Sequence, residues 1–308
     1  MYDVIIIGAG AAGLSAAQVL GRQQRRTLLL DGGPPRNHPA DGVHMLLGRD
    51  GHPPLQLLAD GRRELAAHPA VEVRQARVDS VAGTADAFTV ILQDGSVEQA
   101  RRLLLATGQV DQPWPVPGVP QRWGRGVFHC PFCHGWEARG KSLGVLGRDP
   151  AQVMLAAYLA DRYSDDVVVA THGPHTLPQP VLDNLTKLRI RLVETPLDEL
   201  AGEPGALELR FTDGTVLTRQ AVFHRAPTVQ GAPFAAQLGA ELLPDGYVRV
   251  DEFSRTTVPG VYAAGDLARQ AALPDGLTLV SQAVADGVRA AVWIEQGLFR
   301  EALPVPLG

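Results

Sequence analysis

An apolar run, Val4-Ile5-Ile6-Ile7, passes without a break into Gly8-Ala9-Gly10-Ala11-Ala12-Gly13. A short run this rich in β-branched residues reads as a strand, Tyr2 to Ile7, buried on both faces of a parallel sheet. Leu14 to Leu20 then reads as a helix. Arg26 to Leu30 reads as a second strand ending at Asp31. Gly8 permits a tight turn, Gly10 lets backbone approach a pyrophosphate, and Gly13 lets the helix pack closely on the strand. The helix start then faces the phosphate charge. Asp31 stands at the spacing of an acid that binds a ribose. Strand, turn, helix and acid in this register predict an α/β domain that holds a dinucleotide.

The rest of the chain predicts a second, smaller domain inserted into the first. Gly32 to Pro39 is an aperiodic loop that should pass over the cofactor. Leu55 to Ala67 reads as a helix. Val71–Val81, Ala87–Leu92 and Val97–Ala100 read as a three-stranded meander inserted before Leu103-Leu104-Leu105 resumes the sheet. Thr107 and Gly108 follow, at strand ends where such sheets bind ligands. Gln112 to Pro120 is proline-rich and marks a boundary. Ser142–Leu146, Ala151–Arg162 and Val167–Ala170 then repeat the strand–helix–strand plan. Ala221 to His224 closes that copy. A short helix at Phe234–Leu238, strands at Val248–Val250 and Val261–Ala263, and a helix from Leu279 to Gln296 return to the first domain. The expected organisation is residues 1–112 and 227–308 as one discontinuous domain and 113–226 as the middle one. Its fold class is α/β: two Rossmann-like, three-layer ββα domains. The copy is defective as a nucleotide site. Asp149 stands where the second glycine of the turn belongs, and its carboxylate should repel a pyrophosphate. No arginine pair follows the second strand, where Thr171-His172-Gly173-Pro174-His175 stands.

The only two cysteines, in 308 residues, form Cys130-Pro131-Phe132-Cys133, flanked by His129 and His134. Two thiols at this spacing can close a disulfide and exchange two electrons, and an adjacent imidazole can take a thiol proton. A structural zinc site needs four ligands and no second C-x-x-C exists; His129 and His134 could supply the missing two, but the redox pair is the preferred reading and no metal is expected. Two cysteines do not staple a secreted domain. The start, Met1-Tyr2-Asp3-Val4, carries no signal-like segment, so a reducing cytoplasm is the expected compartment. The net charge of −5 points away from nucleic acid and anionic membranes.

These marks together resemble the low-molecular-weight thioredoxin reductase group of flavoprotein disulfide oxidoreductases. The likeness rests on Gly8 to Gly13, Ala106-Thr107-Gly108, Cys130 to Cys133, and Thr257-Val258-Pro259-Gly260-Val261-Tyr262-Ala263-Ala264-Gly265-Asp266. It implies FAD in the first domain and a homodimer. It implies Asp31 on the adenosine ribose, Asp266 near the ribityl chain or pyrophosphate, and Gln282-Ala283 on the isoalloxazine. The expected cofactor site comprises Gly8, Gly10, Ala12, Gly13, Asp31, Asn37, Val78, Thr107, Gly108, Gly265, Asp266, Gln282 and Ala283. Thioredoxin reductases usually carry an aspartate after the second cysteine, where His134 stands here. They also carry an intact glycine turn and a basic pair in the middle domain. The segment from His129 to Glu137, with Gly48-Arg49-Asp50-Gly51 upstream, is similar to the branch of small-molecule dithiol oxidases acting on gliotoxin, holomycin and romidepsin.

That branch implies a substrate thiolate attacking Cys130, with Cys133 on the flavin side and oxygen as final acceptor. His134, and after it His129, is the candidate base, expected near the ordinary imidazole pKa. The alternative is an NADPH-dependent reductase of thioredoxin or a small disulfide. A non-enzymatic flavin redox sensor is the third possibility. FAD is therefore expected, NADPH doubtful, and the partner a small dithiol or disulfide.

Overall fold

The computed structural model describes residues 1–305. The first segment contains β1 (Tyr2–Ile7), α1 (Ala11–Arg22), β2 (Thr27–Asp31), α2 (Pro54–Leu65), β3 (Val71–Gln75), β4 (Val78–Ala82), β5 (Phe88–Leu92) and β6 (Val97–Leu105). The middle contains β7 (Gln109–Asp111), β8 (Val127–Phe128), α3 (Pro131–His134), β9 (Leu143–Leu146), α4 (Pro150–Arg162), β10 (Val167–Ala170), α5 (Gln179–Lys187) and β11 (Arg191–Val193). It continues with β12 (Leu197–Glu203), β13 (Ala206–Phe211), β14 (Val216–Arg219) and β15 (Ala221–Phe223). The last segment holds β16 (Thr228–Gln230), α6 (Phe234–Gln237), β17 (Val248–Val250), β18 (Val261–Ala263), β19 (Ala268–Gln270) and α7 (Val280–Glu301). Two compact units share these elements. Unit 1 comprises Met1–His38, Met45–Val110 and the segment from Val229 onward; unit 2 comprises Pro39–His44 and Asp111–Thr228. Residues 306–308 of the expected 227–308 segment lie outside the described residues.

Unit 1 is built on a parallel sheet. β1 pairs in parallel with β2 on one side and β6 on the other, and β3 pairs with β2. The far end of β6 takes β18 in parallel, while its near end takes β5 antiparallel. Alternate side chains sort to opposite faces, as the period of a strand requires. Val4, Ile6, Leu29 and Leu104 pack under Leu14 and Leu20 of α1, Leu58 of α2 and Ile294 of α7. Ile5, Ile7, Leu28, Leu30, Leu103 and Leu105 pack against Phe88, Val90, Phe234 and Val248. Each such burial contributes roughly 1.5–3 kcal/mol. The result is a ββα sandwich.

Two strand expectations need correction. The run Val71–Val81 is two strands, and only its second half joins the meander. β3 is the parallel edge of the main sheet and ends where Ala76 N–H donates to Asp31 O at 3.0 Å. The apolar positions change phase there, from Val71 and Val73 to Ala76 and Val78, a break that reading the run as one strand passes over. Conversely, Val97–Ala100 and Leu103–Leu105 are one strand, β6, rather than an insertion and a resumption. Arg101 and Arg102 interrupt the apolar pattern, but their guanidinium groups are met by Asp86 and Glu301. A paired arginine can stay in a strand that the pattern alone would end.

Unit 2 repeats the plan. Its parallel sheet runs β11-β10-β9-β15-β8. Leu143, Val145, Val167 and Val169 pack against Val153, Ala156 and Leu159 of α4 and Leu185 of α5. Leu146 and Val222 pack against Leu200, Leu207, Leu209 and Phe211 of the antiparallel β12-β13-β14 sheet. No element is expected from sequence in the stretch holding α5, β11 and β12, although Val181, Leu182, Leu185 and Leu188 recur at helical spacing. Both units are therefore Rossmann-like. Among the described residues no helix is long and apolar enough to cross a membrane.

Candidate active site

In unit 1 the ends of four strands, β1, β2, β6 and β18, converge. Gly8 N–H donates to Leu30 O (2.9 Å), Ala106 N–H to Ile7 O (2.8 Å) and Ala264 N–H to Leu105 O (3.0 Å). A Cβ on Gly8 would lie 2.3 Å from Ala106 O, and one on Gly13 would lie 1.9 Å from Gly8 O. Both glycines are thus required by the fold itself. Gly10 differs: a Cβ there would meet nothing within 4 Å. It precedes α1, which has no side-chain cap, so the first amides of that helix are open to an anion. Gly265 has φ +78°, and a Cβ on it would approach Ala12 Cβ at 3.0 Å and Ala283 Cβ at 3.7 Å. These features fit the pyrophosphate of FAD. Gly10→Ala separates fold from cofactor. It should leave the melting temperature of the cofactor-free protein unchanged while weakening FAD at least about tenfold, because the methyl enters the phosphate space. Flavin content after desalting checks this.

The other expected cofactor residues sit in the same unit. Thr107 and Gly108 follow β6, with Gly108 at φ +64° and open space beyond it. Asn37 lies in the loop after β2, and Val78 opens β4 opposite Leu92. Asp31 accepts from Gly33 N at 3.1 Å and pairs with Arg62. Asp266 pairs with Arg36 at 2.9 Å. Gln282 donates through Nε2 to Asp286 Oδ1 at 2.7 Å, and burial pushes the Asp286 carboxyl up. Arg36, Arg62 and Asp286 carry no motif of their own, so sequence reasoning misses them.

The matching turn in unit 2 is closed. Asp149, expected to face a phosphate, is exposed at the turn but already engaged: it caps α4, accepting from Gln152 N at 2.9 Å. Gln152 holds the position of the third glycine. Its Oε1 accepts from Arg148 N at 3.0 Å and its Nε2 donates to Arg225 O at 3.1 Å. A Cβ on Gly147 would lie 2.5 Å from Gln152 Cβ. Amides that would meet a phosphate are already bonded to this unit's own side chains. Arg148 stacks 5.5 Å from the Trp114 ring and donates to His172 O at 2.8 Å, beside a cavity of about 420 Å³.

Unit 2 also carries the cysteines. Pro131 opens α3 at the position where proline is tolerated best, and Cys130 caps it. Cys133 N–H donates to Cys130 Sγ at 3.3 Å, and an N–H aimed at a sulfur favours its thiolate form. Both cysteines are half-buried. A Cβ on Gly135 would lie 2.4 Å from Pro131 O and 2.5 Å from the Tyr163 ring, so glycine is needed for the helix to exit. His129 Nδ1 lies 3.9 Å from Asp111 Oδ1, and Asp111 also accepts from Trp123 Nε1 at 3.2 Å.

His134 departs from expectation. Its ring stacks on Phe128 with centroids 4.3 Å apart. Burial first, and the nearby His44 second, lower its pKa from 6.5 to about 4. It is a neutral imidazole at any ordinary pH. Its Nδ1 is buried without a hydrogen bond among the described residues. A depressed histidine makes the unfolded chain bind more protons as pH falls. Its contribution is therefore full above pH 6.5 and is lost as pH drops toward about 4. His224, buried with its pKa also lowered by desolvation, has the same sign. Denaturant titrations at neutral pH and near pH 5 should differ by up to about 2 kcal/mol through His134, and His134→Gln should reduce that difference.

His44 and Glu137 complete the surroundings. The His44 ring meets His134 edge-on at 6.4 Å, and His44 Nε2 lies 3.7 Å from Glu137 Oε1. His44 lies far from the cysteine motif in the chain, and only the fold brings it there.

Comparison with known proteins assigns the family. The family model for pyridine nucleotide-disulphide oxidoreductases matches residues 2–287. The chain is 33% identical over 278 residues to thioredoxin reductase tcpT of Claviceps purpurea, covering 86% of each chain. It is 34% identical over 287 residues to thioredoxin reductase sirT of Leptosphaeria maculans, covering 87% of each. The crystal structure of HlmI superposes with a TM-score of 0.89 at 37% identity, over 97% of this chain and 93% of that one. The chain belongs to the pyridine nucleotide-disulphide oxidoreductase family, as a thioredoxin reductase-like, FAD-dependent thiol/disulfide oxidoreductase.

Proposed function

We propose that this protein is a dithiol oxidase that closes an intramolecular disulfide in a small natural-product dithiol, with oxygen as electron acceptor. One contrast carries the reading. The glycine turn of unit 1 is open at Gly10, while that of unit 2 is filled by Asp149 and Gln152. A chain that carries a flavin cradle and a redox pair, without an open nicotinamide cradle, needs its electrons from the thiol side. The His134 that follows Cys133 supports the same direction, since a neutral imidazole can accept a thiol proton.

The chain's own residues then have these roles. A substrate thiol gives its proton to His134 and attacks Cys130 in the Cys130–Cys133 disulfide. A bond forms between substrate sulfur and Cys130, and Cys133 leaves as thiolate. The second substrate thiol, deprotonated in turn, attacks the first substrate sulfur and releases Cys130. The substrate has lost two protons and two electrons, and the cysteine pair holds the electrons. FAD, when bound, supplies the two-electron acceptor that restores the disulfide and passes electrons to oxygen. A homodimer is the proposed working form, and His129, 3.9 Å from Asp111, is a secondary candidate base.

The direct test is aerobic incubation with a small dithiol such as dithiothreitol. One hydrogen peroxide per disulfide formed supports the reading; disulfide formation that needs NADP⁺ and yields no peroxide defeats it. His134→Ala should lower the rate near neutral pH by about 10²-fold. It should recover part of that as pH approaches the thiol range, because ionised thiol no longer needs a base. With a His134 pKa of about 4, the parent rate should show no acid limb until well below pH 6. A limb centred near 6.5 would assign the base elsewhere. The names of the fungal relatives favour a second reading, an NADPH-dependent reductase of thioredoxin or a small disulfide.

A further inference from the structure

His134 can take a thiol proton but cannot keep it. The ring is desolvated against Phe128, and the charged groups facing it are His44, Glu137 and Asp41. Closing one disulfide releases two protons, so the ring must be cleared before the second thiol arrives. His44 is the titratable side chain whose ring contacts that of His134. That residue ends the short segment Pro39–His44, which clusters with the redox unit. The segment is anchored there. Val43 is buried, Arg125 Nε donates to Pro39 O at 3.1 Å, and Gly124 packs so closely that a Cβ on it would lie 2.8 Å from Pro39 Cβ. His44 is thereby held edge-on to His134, with ring centroids 6.4 Å apart. That separation exceeds a direct hydrogen bond and suits one bridging water. On its other side His44 Nε2 lies 3.7 Å from Glu137 Oε1; the side chains of His44 and Glu137 are 22% and 43% exposed. The His134 Nδ1 atom is buried, His44 is half-buried and Glu137 is exposed.

We propose that His44 is the proton-exit residue of the redox site, carrying each thiol proton from His134 to Glu137 and solvent. This rests on the dithiol oxidase reading. The electron pair of each substrate dithiol goes to the Cys130–Cys133 disulfide. The first thiol proton passes from sulfur to His134, then through water to His44, and leaves by Glu137. The second follows the same path after the ring is cleared. The segment after β2 thus has two tasks: its Gly32–His38 part belongs to the cofactor unit, and its Pro39–His44 part serves the thiol chemistry.

The test uses the FAD-loaded enzyme with dithiothreitol and oxygen, comparing the parent with His44→Ala, His44→Gln, Glu137→Gln and Cys130→Ser. His44→Ala should lower kcat about 10- to 100-fold with KM within about twofold, and free imidazole should restore a large part of it. His44→Gln, which keeps bulk and hydrogen bonding, should be as slow as alanine and show a larger solvent deuterium isotope effect than the parent. Glu137→Gln should lose about threefold. Full activity in both His44 variants, or a loss that imidazole does not relieve while flavin content and melting temperature stay normal, overturns the relay. Turnover by Cys130→Ser instead sinks the oxidase reading itself, so the two failures are distinguishable.

Discussion

Cys133→Ser is expected to keep its FAD and to lose dithiol turnover by on the order of 10³-fold or more. The two halves of that expectation have separate physical sources. FAD retention follows from the cradle at Gly8, Gly10 and Gly13, which lies in unit 1 and shares no residue with the cysteine helix. Loss of turnover follows because a hydroxyl cannot close the disulfide that receives the electron pair. Serine is nearly isosteric, and Cys133 holds α3 through its backbone N–H, which the substitution leaves in place. Cys130→Ser should be equally inactive yet spectroscopically different. It leaves Cys133 as a lone thiolate, and the proposed roles put that sulfur on the flavin side, where it should add absorbance at long wavelength. If the added band appears in Cys133→Ser instead, the two sulfurs have exchanged roles. Normal turnover in both variants would remove the pair from the chemistry.

NADPH is expected to reduce the flavin slowly or not at all under anaerobic conditions, while dithiothreitol bleaches it within seconds and air restores the colour. Binding a pyrophosphate at the unit 2 turn would require it to displace Asp149 from Gln152 N and Gln152 from Arg148 N. Each of those hydrogen bonds contributes about 1 kcal/mol net. The displaced carboxylate would then face the phosphate, at a further cost of about 1–4 kcal/mol. Even the low end of that range weakens binding more than tenfold, since about 1.4 kcal/mol is one decade. The dithiol needs none of these contacts. Stoichiometric bleaching by NADPH within the mixing time would make the reductase reading the better one. Failure of both reductants would point to a substrate that the small dithiol does not mimic, and the peroxide assay with larger dithiols would then decide.

Much of the fold is legible in the chain because its signals are local. Val4 to Ile7 can only be a buried strand, and the spacing of Gly8, Gly10 and Gly13 is set by contacts within the next turn of chain. The cysteine helix is similarly local: Cys130 caps, Pro131 starts, and Gly135 lets the chain leave. Where local pattern and global pairing disagree, the pattern misleads. Val71–Val81 is rich enough in valine to read as one strand although β3 and β4 join different parts of the sheet, and Arg101-Arg102 looks like a break because Asp86 and Glu301 are distant in sequence.

Two Rossmann-like units, a dinucleotide turn and a two-cysteine pair are legible in the chain, since strand period, glycine spacing and C-x-x-C spacing act over a few residues. Tertiary structure alone decided the electrostatics and the company of those groups. Asp149 became a helix cap because Gln152 folds back into the turn. His134 lost its ordinary basicity because Phe128 lies flat against it, and it gained His44 because the loop after β2 is pinned to unit 2 by Val43, Gly124 and Arg125. Burial and proximity depend on the path of the whole chain. No short-range period encodes them.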